Sequence, residues 1–147
     1  MGTHAWLSQR IAAGDSQYDS WRLVYPAHDK VNEIEVEILK TKGLYTLSLA
    51  VHGQPIRPCE SDPKHAFVKV RIGEECFREL ASLHAGGQRL KLSPSLQEAI
   101  IAQLQGGGEV NIELPGYSRK ITADNFPDLA KELENPSHFH NPIQLSF

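Results

Sequence analysis

The chain has no apolar run approaching the ~18 residues that a membrane-spanning helix requires, so no membrane span is expected. It also has no run of like charge. Its formal net charge is −3, with lysine and arginine scattered and adjacent only at Arg119-Lys120. Counterion release from phosphates needs clustered cations, and none is visible along the chain, so nucleic acid is not an expected partner. Cysteine is scarce, with Cys59 and Cys76 alone. No G-x-S-x-G, H-E-x-x-H or C-x-x-C occurs, nor any internal repeat or low-complexity tract. No cofactor is therefore implied.

What is present is a globular composition, 40% hydrophobic and 22% charged over 147 residues. That length suits one domain, which buries roughly 68–70% of its unfolded surface without needing a metal or disulfide. Residues 1–19 are a polar N-terminal extension with a short apolar set at Trp6, Leu7 and Ile11, which reads as a helical turn or two ended by Gly14-Asp15-Ser16. From Ser20 the pattern alternates, with Trp21, Leu23 and Tyr25 on one face. Ile34, Val36 and Ile38 alternate with Glu33, Glu35 and Glu37, the clearest period-two signal in the chain. A turn at Lys40-Thr41-Lys42-Gly43 leads into Tyr45, Leu47, Leu49 and Val51, completing a β-hairpin.

Gly53 to Lys64 is a loop stiffened by Pro55, Pro58 and Pro63. A strand over Phe67–Ile72 follows. The i, i+3, i+4, i+7 spacing of Phe77, Leu80, Ala81 and His84 predicts a helix over Glu74–Ala85, stopped by Gly86-Gly87. Leu90 and Leu92 mark a short strand. Ser95-Leu96-Gln97-Glu98 reads as a capping box opening a helix through Leu104. Val110–Leu114 and Tyr117–Ile121 are strands joined at Pro115-Gly116. Phe126, Leu129, Ala130 and Leu133 give a last helix, closed by Asn135-Pro136. The expected class is α+β: a mostly antiparallel sheet of about six or seven short strands with two or three short helices, in one domain over 20–134 with a tail over 135–147.

Candidate sites follow from residue type and spacing. In an oxidising compartment, Cys59 and Cys76 would close a loop of about 17 residues (76 minus 59), worth roughly 3 kcal/mol in the entropy model. In a reducing one they are separate thiols. A cysteine nucleophile with His65 or His84 as its base lacks any local motif. His138 and His140, at i and i+2 on an extended tail, share a face that could serve a metal only with further ligands such as His4 or an acid. Asp15, Asp19, Asp29, Glu60 and Asp62 are loop acids with no evident pairing. The Glu33, Glu35 and Glu37 row reads as a solvated face. Gly106-Gly107-Gly108 follows a helix and precedes a strand, the reverse of the order that cradles phosphate. Trp21, Tyr25, Tyr45 and Tyr117 read as core aromatics with polar tips.

The layout resembles the invasion-associated locus B proteins, which are exported bacterial domains. The features that carry the resemblance are the tryptophan-led strand Trp21-Arg22-Leu23-Val24, the hairpin after it, the mid-chain cysteine region, Leu114-Pro115-Gly116-Tyr117, and Ala130 and Leu133 in a closing helix. The chain departs from that family in three places. It lacks a cysteine just after the first tryptophan, its two cysteines are not close together, and several residues separate Tyr117 from the helix. The resemblance implies an exported, non-enzymatic protein and transfers no functional residue. The expectation is an extracytoplasmic binding or accessory domain, periplasmic or secreted, that contacts a protein partner through Pro55, Ile56, Arg57 and Pro58. The alternatives are a cytoplasmic regulatory or assembly factor of chaperone or immunity type, and an enzyme whose site has no familiar signature. A leader cut away before Met1 would decide the compartment.

Overall fold

The structure, a computed structural model, describes residues 5–11 and 20–134. The strands are β1 (Leu7–Ile11), β2 (Ser20–Tyr25), β3 (Glu35–Thr41), β4 (Leu44–Ala50), β5 (His65–Ile72), β6 (Glu75–His84), β7 (Arg89–Lys91), β8 (Val110–Leu114) and β9 (Tyr117–Ile121). The helices are α1 (Pro94–Gln105) and α2 (Phe126–Glu134). All strands join one antiparallel sheet in the order β1-β2-β3-β4-β7-β6-β5-β8-β9. The α+β class stands, but the count of six or seven strands is too low: the sheet has nine.

Both extra strands replace expected helices. Glu74–Ala85 is not a helix. Residues 75–84 form β6, which pairs along its length with β5 through a two-residue turn at Gly73-Glu74. Gly73 stands at φ +62°, in the left-handed region that a side chain resists. Phe77 and Ala81 face inward as helix spacing and strand alternation both allow, whereas Leu80 points out and is 41% exposed. The N-terminal segment is not helical either. Leu7–Ile11 pairs with β2, and Trp6 before it is buried in the core.

The β3–β4 hairpin forms as its alternation requires. Val36 and Ile38 face Leu49 and Leu47 across the ladder, and all four are fully buried. The turn residues Lys42 and Gly43 both have positive φ, the geometry that matches the twist of a two-residue hairpin. Helix α1 packs Leu96, Ile100, Ile101 and Leu104 into the same core. Its N-cap is Ser93, two residues before the serine of the expected capping box. The Ser93 hydroxyl accepts the Leu96 N–H, and Pro94 follows in the first turn, where its missing N–H costs nothing. Glu79 of β6 accepts the Ser93 N–H at 2.8 Å and its hydroxyl at 2.6 Å, fixing the helix start to the sheet. Buried Gln97 extends the ladder of β4 beyond the end of short β7, accepting from Leu47 N–H at 3.0 Å and donating to Tyr45 C=O at 2.7 Å.

The sheet curls until its two ends meet. The Trp6 indole N–H donates to Thr122 C=O at 2.8 Å. The Trp6 backbone donates to Asn125 Oδ1 and accepts from Asn125 Nδ2, each at 2.9 Å. Its ring packs on Tyr25 and Phe126, with centroids 5.1 and 4.9 Å away. One strand inward, Arg119 of β9 donates to the carbonyls of Pro26 (2.9 Å) and Ile34 (2.7 Å), and its guanidinium lies 4.4 Å from the centre of the Tyr25 ring.

The glutamate row is not simply solvated. Glu37 is bonded by Arg22 of β2 and by Arg89 of β7, the latter at 2.8 Å, and its side chain is only 13% exposed. Glu35 lies 3.5 Å from His52 and 3.8 Å from Lys30, and Glu33 lies 3.6 Å from Arg119. Each acid therefore has a cation, and Glu37 ties together strands that are not neighbours. Burial alone would raise the Glu37 carboxyl, but the two guanidiniums outweigh it and hold it below its ordinary value of 4.5.

Two predictions follow from the core and its outer tie. Val36→Asp places an unpaired charge in the dry centre of the hairpin and should unfold the domain. A melting temperature within about a degree of the parent would show that the inward face was misassigned. Glu37 has a depressed folded-state pKa, so its stabilisation is complete above 4.5 and is lost as pH falls through the lower folded value. Glu37→Gln should therefore lose about 1–3 kcal/mol at neutral pH and show a shallower acid limb than the parent. Thermal melts across the acid range measure both effects, and parallel limbs would contradict the assignment.

Candidate functional site

The loop between β4 and β5 is a shaped, anchored surface. Pro55 to Pro58 pairs with no strand. Pro55, Arg57 and Pro58 are exposed, while Ile56 beneath them is 1% exposed. Alternation along an extended segment explains this: one side chain enters the core and its neighbours point away. Ile56 N–H donates to Gly87 C=O at 2.7 Å, Gln88 Nε2 donates to Gly53 C=O at 2.8 Å, and the Tyr117 hydroxyl donates to Gln54 C=O. Gly53 is needed here, because a Cβ would collide with the Val31 carbonyl oxygen.

The second half of the loop closes on itself. Cys59 N–H donates to His65 C=O, Asp62 N–H to Cys59 C=O, and His65 N–H to Asp62 C=O, at 2.8–3.1 Å. The His65 Nδ1 atom lies 2.7 Å from Asp62 Oδ2, and hydrogen bonding from that imidazole holds the Asp62 carboxyl below its usual range.

A cleft flanks the proline segment on each side. One, of about 540 Å³, is walled by Val31, Asn32, Arg57, Pro115 and Tyr117. The other, of about 420 Å³, is walled by Pro63, Leu83, His84 and Gly87. Pro55, Ile56 and Pro58 line both. The four residues expected to meet a partner thus form one ridge, with Ile56 supporting it from below. Val31 and Tyr117 were not legible as part of this surface. Tyr117 is 63 residues from the carbonyl that it holds, and no local pattern reports such a contact.

The remaining candidates lie elsewhere. Cys59 and Cys76 are free thiols. Of the two alternatives, a bridge or separate thiols, the structure has the second, for a geometric reason. Cys59 sits beside His65 at the start of β5, and Cys76 pairs with Arg71 near its end, about 20 Å along the strand. A disulfide needs Cα atoms within about 7 Å. The Cys59 sulfur contacts the Ser61 hydroxyl at 3.4 Å, and no hydrogen bond joins it to the His65 ring among the described residues. Asp29 accepts the N–H groups of Val31 and Asn32 and shapes the loop tip. Tyr25 and Tyr117 are buried with bonded hydroxyls, whereas Trp21 and Tyr45 are half-buried. Among the described residues, no three His, Cys, Asp or Glu side chains gather in a metal-holding group. His4, Asp15, Asp19, His138 and His140 lie outside the described residues. No helix among the described residues is long and apolar enough to cross a membrane.

No family model matches the chain, and no curated protein matches it. Among solved structures, the crystal structure of invasion associated protein B from Bartonella henselae is similar, with a TM-score of 0.59 over 94% of this chain and 96% of that one, at 11% identity. At that identity the likeness is one of fold. The layout resemblance read from the sequence therefore holds at the level of architecture: this chain and invasion associated protein B share an arrangement of strands and helices.

Proposed function

We propose that this is a non-enzymatic binding or accessory domain acting outside the cytoplasm, and that it contacts a protein partner through the ridge of Pro55, Arg57 and Pro58 seated on Ile56. The observation that carries the reading is the ridge itself. Its exposed side chains stand between two clefts, and its backbone is bonded to β9 and to the segment before β7. A surface already ordered loses little conformational entropy when a partner arrives, so more of the contact energy appears as affinity. Prolines also leave the ridge with few N–H donors, which suits side-chain packing better than strand addition. The extracytoplasmic part of the proposal draws on the resemblance to the invasion-associated locus B proteins.

The test is affinity capture from the native organism with the parent and with a variant whose residues 55–58 are replaced by glycine and serine. The parent should retain a partner, and the variant should retain it on the order of tenfold less, as loss of a hot spot would produce. The reading fails if the parent retains nothing and a substrate screen finds turnover abolished by changing one acid or histidine.

A further inference from the structure

The outer face of the sheet gathers charges that the linear sequence keeps apart. Residues two apart on a strand share a face, so Lys69 and Arg71 of β5 point the same way. The β5–β6 register sets Arg78 opposite Lys69 and Leu80 opposite Phe67, and Lys91 of β7 pairs with Ser82 one step along that face. Phe67 and Leu80 are 47% and 41% exposed, and they form an apolar pair among these cations. Arg22, Arg89 and Arg119 each meet a carboxylate. Lys69, Arg71, Arg78 and Lys91 meet none within ion-pair distance among the described residues. A hollow of about 370 Å³ opens beside them, walled by Phe67, Val68, Lys69, Arg78, Glu113, Leu114 and Pro115.

We propose that this face docks an acidic polypeptide segment that places one apolar side chain in the hollow beside Phe67. Charge complementarity selects the sign: these unpaired cations stand on a chain whose net charge is −3, so the positive field is local. The hollow selects a polypeptide over a phosphate chain. Phe67 and Pro115 offer apolar side chains to pack against, and the hollow's one carboxylate, Glu113, which stands opposite Lys69, accepts a backbone N–H where a phosphate would be repelled. The Phe67 ring is also partly occupied by the Arg78 guanidinium, 5.7 Å from its centre, which leaves it poorly placed to stack a base. The surface uses other residues than the proline ridge and does not rest on that reading.

The experiment is fluorescence anisotropy of the full chain against a short labelled peptide of aspartate and glutamate with a central leucine. Matched probes are the same peptide with serine for leucine, a lysine-based peptide, a single-stranded oligonucleotide, and vesicles of anionic phospholipid. The acidic leucine peptide should bind, weaken with added salt, and bind more tightly than the serine or lysine peptides. Lys69→Glu with Arg78→Glu should weaken binding on the order of tenfold or more. Phe67→Ser should weaken it several-fold and abolish the preference for leucine over serine. Circular dichroism and melting establish that each variant is folded. Lys131→Glu, exposed on α2 and off this face, serves as a second folded control that should leave binding unchanged. Absence of acidic-peptide binding, equal binding by the reversed-charge variant, or tighter binding of the oligonucleotide or vesicles would overturn the proposal.

Discussion

The structure depends on the junction around Trp6. An antiparallel sheet of this length has two edges and an inner face too broad for two short helices to cover if it lay flat. Curling closes the inner face, but it requires the ends to be held together. Trp6 does this with its ring, its indole N–H and both of its backbone groups, against Tyr25, Phe126, Thr122 and Asn125. The contacts satisfy every polar group that the tryptophan brings into the core, so burying it carries no desolvation penalty of the kind that an unpaired donor would incur. Arg119 repeats the arrangement one strand inward, its charge shared among two carbonyls, the Tyr25 ring and Glu33.

That closure sets where both surfaces fall. Tyr117 lies on β9, so its hold on Gln54 fixes the proline ridge only because β9 is itself fixed to the first strands. The ridge therefore has the rigidity of the core beneath it. The outer face of β5 to β7 is placed differently. It lies near the middle of the sheet, and its basic and apolar character comes from cross-strand register. Inward, the same strands supply Val68, Val70 and Leu90 to the core.

Legibility in the sequence followed the range of the interaction. The β3–β4 hairpin was readable because its alternation and its turn residues agree locally. The Pro115-Gly116 turn was readable for the same reason, with proline before a glycine at φ +87°. Residues 75–84 read as a helix because Phe77 and Ala81 satisfy two periodicities at once, and pairing with β5 settles the choice at the cost of an exposed Leu80. Ser95 reads as the cap because it precedes Glu98 at the right spacing. Ser93 takes that place because Glu79, 14 residues away, holds it there. Trp6 stands alone in a polar segment and meets Asn125 at a separation of 119 residues, beyond anything a pattern can report. The proline ridge was visible in composition, but its clefts and its anchor on Tyr117 were not. The basic face was invisible for the opposite reason: its residues are scattered in sequence and meet only through register.

The Trp6 junction holds the whole sheet and does more than fasten its first strand. Native-state amide hydrogen exchange on Trp6→Ala tests it most directly. If the junction is global, the variant should lose about 3–5 kcal/mol, and protection should fall together in β1, β8 and β9, including the Tyr117 amide. If β1 alone loses protection while β8, β9 and the Tyr117 amide exchange as slowly as in the parent, the junction is local and the account is wrong.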